Sequence, residues 1–308
     1  MQSLTLAYRD NDRTPVIFAI REMARRHYDL EVRVVQITDE EAFEAALFNR
    51  SCDVIIEHLE YLYEEAAQGK KVTIFCAPSK GAGLHLVVPP NVKDLAAFKG
   101  KIMAVRSQGQ PYAVTLWLRM MGLEKEVATV IVDDKEIGRW GQWKKVTSGE
   151  CIATFMSPLY LPQALAAGLK TLSVPEIPIV GHFAQACLSE FARNRHALLR
   201  DYVKAVLHAL AWLTNRRDEA FAVLAPELRP CIKLDDDAEL KRRFDSVVDG
   251  LKTKPYPTPE AIANTYEIAT LEYPKAKGMN PLSLWDLHWV KELDDEGFID
   301  DLCKRMAR

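Results

Sequence analysis

The sequence predicts an α/β protein of two lobes, each with its own sheet and hydrophobic core. Its 308 residues exceed a typical single domain and fall in the size range in which chains divide. Strand and helix signals alternate along the chain, as they do in parallel sheets covered by helices. The alternation restarts after Pro89 and Pro90, which marks a second set of elements.

The first lobe is predicted from four apolar runs that are separated by polar turns and helix signals. We interpret these runs as strands at residues 4–8, 32–37, 53–57 and 71–77. Pro15 occupies a permitted first-turn position of the helix after the first strand. Residues 38–41 form a capping box for the second helix, and Gly69 ends the helix of residues 59–68. This βαβαβ order predicts a parallel arrangement.

The second lobe repeats the pattern after residues 84–88 have carried the chain across. Its predicted strands are residues 102–105, 129–132 and 151–155. Its predicted helices are one begun by Pro111 and those of residues 140–148 and 159–167. Residues 180–191 return to the first lobe, and an amphipathic helix covers residues 194–215. The helical remainder is expected to pack on the first lobe. The predicted boundaries are therefore 1–88 plus 184–308 for the first lobe and 89–183 for the second.

Composition narrows the class of partner. A net charge of −3 without a dense Lys/Arg stripe argues against nucleic acid, whose backbone requires clustered cations. No run approaches the roughly 20 apolar residues of a membrane span, so membrane insertion is not predicted. Phosphate loops, zinc-ligand spacings and nucleophile elbows are absent from the sequence, so no cofactor and no metal are predicted. A small molecule is the expected partner, and the oligomeric state is not indicated.

Six cysteines bear on the cellular compartment. They have no C-x-x-C spacing and mostly lie in apolar runs, which predicts reduced, buried thiols at Cys52, Cys76, Cys151, Cys187, Cys231 and Cys303. Residues 1–9 show no signal-peptide pattern. Together these features predict a cytoplasmic location for the chain as written, and a periplasmic one if a signal was removed.

Four stretches carry a resemblance to a known family: NRSCDVIIEHLEYLYEEAAQGKKVTIFCA, DLAAFKGKIMAVRSQGQPYAVTLWLRMMGL, SGECIATFMSPLYLPQALAAG and NRHALLRDYVKAVLHALAWLTNRRDEAFAVLA. They resemble the nitrate, sulfonate and taurine solute-binding proteins and their thiamine-pyrimidine-synthase relatives, over nearly the whole chain. The resemblance implies a type II periplasmic-binding-protein (Venus flytrap) fold, with two mixed sheets flanked by helices. It also implies hinges near residues 84–88 and 180–185, a ligand between the lobes, and an ABC permease as partner if the protein is exported.

A shorter resemblance points to an enzyme. The segments DNDRTPVIF and ITDEEAFEAALFNRSCDV are similar to the opening of the 4,5-dihydroxyphthalate decarboxylase group, which has the same fold. That group contains cytosolic lyases, and the resemblance implies Arg13 as a carboxylate binder. The sequence departs from the group at Asn11, where an aromatic residue is usual before the Asp-Arg-Thr triplet.

Candidate binding residues come from turns at the carboxyl ends of strands, where open α/β sheets bind ligands. After the first predicted strand these are Arg9, Asn11, Arg13 and Thr14. The planar fork of Arg13 matches a carboxylate or a sulfonate. The alternative is a solvated turn in which Arg13 pairs locally with Asp10 or Asp12.

Glu57 and His58 follow the third predicted strand. His58 is a candidate hydrogen-bond donor or general acid/base because the ordinary pKa of histidine lies near neutrality. The alternative is that it caps the next helix. Ser79 follows the fourth strand, where a plain polar loop end is the alternative. His182 lies on the return crossing and can face either lobe.

The second lobe offers an anion site in the turn before Pro111, made of Arg106, Ser107, Gln108 and Gln110. Backbone N–H groups and the dipole of the following helix converge there. The alternative is that Gly109 only supplies a positive φ. Ser157 follows a later strand in the same way.

Four tryptophans are interpreted as packing residues. Trp140 and Trp143 have the spacing of an aromatic box, but the same spacing places two residues on the core face of a helix. Trp285 and Trp289 are expected to dock the C-terminal helix.

The residues leave two functions open. The first is a binder of a small organic anion, an aromatic or aliphatic carboxylate or sulfonate. The second is a cofactor-independent lyase of the decarboxylase type, with His58 and Arg13 as its catalytic residues.

Overall fold

A computed structural model describes residues 2–81, 83–107 and 111–307. The chain divides into two compact units, Met1–Ala82 with Ile179–Arg308 and Gly83–Pro178. The boundaries inferred from the sequence lay at 88/89 and 183/184. The division falls earlier because the strand at His85–Val88 pairs with two strands of the second unit. Val180 and Ala184 pack into a core of the first unit.

Each unit contains a five-stranded mixed sheet. The strands are β1 (Gln2–Tyr8), β2 (Leu30–Gln36), β3 (Val54–Ile56), β4 (Val72–Cys76), β5 (His85–Val88), β6 (Ile102–Arg106), β7 (Ala128–Val132), β8 (Ala153–Met156), β9 (Lys170–Leu172) and β10 (Gln185–Leu188). The first sheet has the order β2-β1-β3-β10-β4, and the second β7-β6-β8-β5-β9. In the first sheet β10 runs antiparallel to both of its neighbours, as β5 does in the second.

Helices cover both faces of the first sheet. They are α1 (Thr14–His27), α2 (Glu40–Ala46), α3 (Tyr61–Ala67), α8 (Ser189–Asn194), α9 (His196–Asn215), α10 (Arg217–Ile232), α11 (Asp237–Asp249), α12 (Pro259–Glu272), α13 (His288–Asp295) and α14 (Phe298–Met306). Helices α1 and α9 to α11, with α13 and α14, contribute to the core on one face, and α2, α3 and α12 to the core on the other. The C-terminal helices therefore pack on the first unit, as predicted.

The second unit has the same layered construction. Its helices are α4 (Pro111–Met120), α5 (Asp134–Ile137), α6 (Trp143–Thr147) and α7 (Leu161–Ala166). Alternate residues of a strand face opposite sides of a sheet. Leu86 and Val88 of β5 accordingly enter the core that contains α4, whereas Val87 enters the core that contains α6 and α7.

Two predicted helices differ from the structure because single residues leave the helical conformation. The helix predicted at 194–215 is divided into α8 and α9 at Arg195, where φ is −122°. The helix predicted from residue 140 begins at Trp143, because Trp140 has a left-handed backbone with φ of 59°. Strand β9 and helix α5 were not predicted. Trp140 is nevertheless buried, with Trp143 half-buried beside it.

The two tryptophans near the C-terminal helices pack in different cores. Trp289 lies as predicted, 2% exposed in the core formed by α1, α9 to α11, α13 and α14, which we call the main core. Trp285 precedes α13 and packs in the core on the other face of the sheet, where its indole N–H donates to the hydroxyl of Tyr63, so the prediction that it docks the C-terminal helix is wrong. All six cysteines are free thiols, four of them buried and Cys231 and Cys303 half-buried. Among the described residues, no helix combines the length and hydrophobicity that a bilayer span requires.

Candidate functional site

The topology of the first sheet brings three chain segments together at one end of its strands, the end at which β1 and β3 finish, which we call the carboxyl edge. Strands β1 and β3 are parallel, and Tyr8 lies opposite Ile56 at their carboxyl ends. Strand β10 is antiparallel, so its first residue, Gln185, also lies opposite Ile56. The residues that follow β1, those that follow β3 and those that precede β10 therefore meet at this edge.

A buried ion pair joins these three segments. The guanidinium of Arg13, 6% exposed, donates to Oε1 of Glu57, which is 3% exposed. Arg13 Nε also donates to the carbonyl oxygen of His182 at 3.0 Å. Glu57 Oε1 in turn accepts the backbone N–H of His58 at 3.2 Å. Arg13 and Glu57 thereby fix the backbone on both sides of a histidine pair. Arg13 is thus hydrogen-bonded to a distant glutamate, and it also forms a longer ion pair with Asp10 at 3.9 Å, the local pairing that was the alternative.

The histidine pair consists of His58 and His182. Their Nδ1 atoms are 3.3 Å apart, and their rings meet edge to face with centroids separated by 3.9 Å. His58 Nδ1 also lies 3.6 Å from Oε1 of Glu60. The His58 side chain is 31% exposed, so the pair is held by the fold and is still reached by solvent. His58 does not cap α3, whose N-cap residue is Glu60.

Carboxylates give this edge a negative character. Burial by itself raises the pKa of Glu60, but the neighbouring His58 and backbone N–H groups outweigh it and lower that pKa below its usual range. Glu272 is exposed at the surface, yet desolvation by surrounding protein atoms and then the charge of Glu60 raise its pKa to about 7. The pKa values of these two carboxyl groups are thus shifted in opposite directions, that of Glu60 downward and that of Glu272 upward.

The side chains of the other candidates in the first unit form ion pairs or hydrogen bonds with residues of the same unit. Arg9 pairs with Glu40 at 2.9 Å. The side-chain amide of Asn11 donates to the carbonyl of Cys231 at 2.7 Å. Thr14 is fully buried and its hydroxyl donates to the carbonyl of Asn11, while the Ser79 hydroxyl donates to that of Gly81. Their roles in ligand binding stay predictions.

In the second unit, Arg106 forms a cluster of its own. Its Nε donates to Oδ2 of Asp134 at 2.8 Å, and its guanidinium lies 4.9 Å from the ring centroid of Trp140. The backbone N–H of Ser107 donates to the carbonyl of Val132, and the hydroxyl of Ser157 accepts the N–H of Leu159. The predicted residues Gln108 and Gln110 lie outside the described residues, so the anion site there stays a prediction.

Comparison with known proteins identifies the fold. The sequence matches no family model and no curated protein. Among solved structures, the periplasmic aliphatic sulphonate binding protein SsuA from Escherichia coli is similar with a TM-score of 0.67 and 16% identity, over 92% of this chain and 91% of that one. The chain has the periplasmic-binding-protein fold.

Two further solved structures support this assignment of the fold. A putative sulfonate-binding SsuA from Methylobacillus flagellatus has a TM-score of 0.69 at 17% identity, covering 97% of this chain and 96% of that one. A Candida albicans gene product described as having the generic periplasmic binding protein fold has a TM-score of 0.59 at 14% identity, covering 96% and 95%. The predicted fold and its resemblance are confirmed. The decarboxylase resemblance stays a prediction, because none of these structures is named as such an enzyme.

Two residues that surround the histidines were missed by the sequence reasoning. Glu60 stands two positions after His58, but a single glutamate at the start of a helix carries no signal of its own. Glu272 ends α12 and reaches this edge of the periplasmic-binding-protein fold only through tertiary packing. For the second unit, Asp134 was missed for the same reason.

Gly181 holds His182 in position by allowing a close approach. A Cβ atom added at Gly181 would lie 2.6 Å from Cβ of Ser79 and 2.7 Å from the carbonyl oxygen of Gly81. We expect Gly181→Ala to lower the free energy of unfolding by about 1–3 kcal/mol, because the segment has to shift to relieve the overlap. Urea denaturation measures this. Gly250→Ala is the matched control, with its nearest contact at 3.4 Å and an expected change within about 0.5 kcal/mol. Equal effects of the two variants would show that the close approach is unimportant.

Proposed function

We propose that the protein binds a small organic solute and that the His58–His182 pair contacts it. The support from the fold is that several similar structures are named as sulfonate-binding or ABC transporter proteins. The support from the site is that two partly exposed imidazoles stand at the carboxyl edge of a sheet, where α/β proteins bind ligands. If the protein is exported, an ABC permease is the partner that this role requires.

The observation that carries the proposal is that one buried ion pair holds the backbone of both histidines. Arg13 and Glu57 bond to that backbone, so little loop order has to be gained when a solute arrives. Preorganisation of this kind improves affinity by reducing the entropic cost of association. Arg13 is a positioning residue in this proposal.

The charges of the site favour a solute whose contacting group is neutral or cationic. Arg9 is paired with Glu40, and Arg13 with Glu57. Beyond these two balanced pairs, Glu60 lies beside His58 as a further carboxylate. An oxyanion would have to displace a carboxylate from Arg13 and approach Glu60 against its charge. The anion predicted from the sequence is therefore the competing hypothesis for this site.

Matched ligands separate the two hypotheses. We expect titration calorimetry to show binding of benzylamine or benzamide at least about tenfold tighter than benzoate or benzenesulfonate, with butylamine and butyrate as the aliphatic pair. His58→Ala should weaken the binding of an amine or amide about two- to tenfold, the value of one hydrogen bond. His85→Ala, at an exposed histidine of β5, is the control and should bind as the wild type does.

Two results would contradict the proposal in different ways. Tighter binding of the carboxylates and sulfonates would remove the charge argument while keeping the role in solute binding. Full affinity in His58→Ala for a compound that does bind would remove the histidine pair from the site. Each mixture should also be analysed for products, since turnover would revive the lyase hypothesis.

A further inference from the structure

A second pair of histidines lies on the surface of the first unit, away from the edge described above. His196 is the first residue of α9 and His288 the first residue of α13. Their Nε2 atoms are 3.2 Å apart, and their rings are nearly parallel, with planes 12° apart. His196 is exposed, and the side chain of His288 is 37% exposed. Both side chains therefore contact solvent.

A carboxylate orients one of these rings. Nδ1 of His288 lies 2.7 Å from Oδ1 of Asp286, which also accepts the backbone N–H of His288 at 3.2 Å. A carboxylate at that distance holds a proton on Nδ1 and leaves the lone pair on Nε2. The Nε2 atom of His288 thus presents its lone pair to His196. Metal-binding histidines are oriented in this way by carboxylates in many proteins.

We propose that His196 and His288 bind a divalent transition-metal cation of the Zn²⁺, Ni²⁺ or Cu²⁺ class, with water in the remaining positions. At metal–nitrogen distances of about 2.0–2.1 Å, two ligands of a tetrahedral ion lie roughly 3.3–3.4 Å apart. The observed 3.2 Å between the Nε2 atoms is close to that separation. Neutral imidazole is a preferred ligand of these three cations.

The metal takes the place of a hydrogen that the two nitrogens share. With Nδ1 of His288 protonated, the contact is a hydrogen bond from Nε2–H of His196 to Nε2 of His288. When the cation binds, the proton of His196 moves from Nε2 to Nδ1, and both Nε2 lone pairs are donated to the metal. Both imidazoles stay neutral and no proton is released. Low pH opposes binding because protonated imidazole has no lone pair to donate.

The other histidine contacts are less suited to this role. His27 and His208 have ring centroids 4.2 Å apart, but His208 is 5% exposed and its Nδ1 is bonded to the hydroxyl of Tyr28. His58 and His182 belong to the proposed solute site. Within the described ranges no group of three or more metal-ligating side chains occurs, so the site proposed here has two protein ligands.

Binding of the cation ties the starts of two helices together. Helix α9 contributes to the main core, and its Arg200 already pairs with Glu296, the C-cap residue of α13, at 2.6 Å. A metal held by His196 and His288 adds a second link between α9 and α13. Since a cation that binds only the folded chain stabilises it by mass action, the melting temperature should rise with metal concentration.

The test uses the untagged full-length protein and the metals alone. We expect one equivalent of Zn²⁺ in competition with a coloured chelator, lost in both His196→Gln and His288→Gln, with Cu²⁺ as the spectroscopic probe. Asp286→Asn should weaken binding about 10- to 100-fold, the usual effect of removing the carboxylate that orients a ligand histidine. His85→Gln is the matched control and should bind as the wild type does. His58→Gln should also bind metal as the wild type does, and loss of binding in this variant would place the metal at the solute site.

Spectroscopy identifies the metal ligands directly, independently of the affinity of each variant. The electron paramagnetic resonance spectrum of the Cu²⁺-loaded wild type should show coupling to two imidazole nitrogens, reduced to one in His288→Gln. Asp286→Asn should keep the two-nitrogen spectrum at saturating Cu²⁺, which separates orientation from ligation. Wild-type affinity in His288→Gln, or a spectrum without imidazole coupling, would overturn the proposal.

Discussion

Replacing Arg13 by methionine should lower the free energy of unfolding by about 3–5 kcal/mol, because it leaves the carboxylate of Glu57 buried without its counter-charge. Glu57 is 3% exposed, and among the described residues its Oε2 has no hydrogen-bond partner. Arg9 also lies near enough to interact with Glu57, but Arg13 is the cation that is hydrogen-bonded to it. Urea denaturation of Arg13→Met beside the wild type measures the loss.

Two further variants show whether burial is the reason. Arg50→Met removes an arginine from a surface pair with Glu190, in which both side chains are more than half exposed, and should cost at most about 1 kcal/mol. Adding Glu57→Leu to Arg13→Met removes both buried charges and should restore much of the stability. A loss in Arg13→Met no larger than that in Arg50→Met would show that the buried pair is not a stabilising feature.

The stability of the protein should fall as the pH is lowered from about 6.5 to 4, with His208 as a principal cause. Burial, followed by the charges of His27 and Arg305, lowers the pKa of His208 from 6.5 to about 4. Between these values the unfolded chain binds a proton that the folded protein does not, so stability rises with pH in this range and is lost on acidification. A shift of this size corresponds to about 3 kcal/mol.

The contribution of His208 is isolated by a variant that cannot titrate. His208→Gln keeps a hydrogen-bonding group for the hydroxyl of Tyr28, so any cost of the replacement itself is the same at every pH. Denaturation series at pH 4 to 7 should show a loss on acidification that is smaller by about 3 kcal/mol in His208→Gln. His85→Gln should keep the wild-type slope. Identical slopes in the wild type and His208→Gln would refute the assignment.

Local patterns predicted most of the fold, since apolar periodicity and helix caps are properties of neighbouring residues. The first three strands lie where the sequence places them, with bounds that differ by a few residues. The predicted capping box does not form, because Asp39 rather than Thr38 is the N-cap of α2 and its side chain accepts the backbone N–H of Ala42. The pattern failed where one residue adopts an unusual backbone. Trp140 has a helical spacing to Trp143, yet its left-handed conformation excludes it from α6.

The site was predicted less completely, because its partners are distant in the sequence. The turn after β1 correctly indicated that Arg13 lies at the carboxyl edge of a sheet. Its partner was expected to be the anionic group of a ligand or, alternatively, Asp10 or Asp12, whereas the structure hydrogen-bonds it to Glu57, 44 positions along the chain. Only the register of β1, β3 and β10 brings these segments together, and that register is decided by the packing of whole faces.

The position of β10 determines when the first unit is completed during synthesis. This strand lies between β3 and β4, and it is followed in the chain by α9, the central helix of the main core. The ribosome therefore releases all of residues 83–178, a continuous unit, before β10, an interior strand of the first sheet, exists. Since domains fold as units while the nascent chain emerges, the second unit is free to fold first. Until then the first sheet of the N-terminal segment lacks β10 and its apolar residues lack the helices that cover them, a state in which chaperones bind newly made proteins.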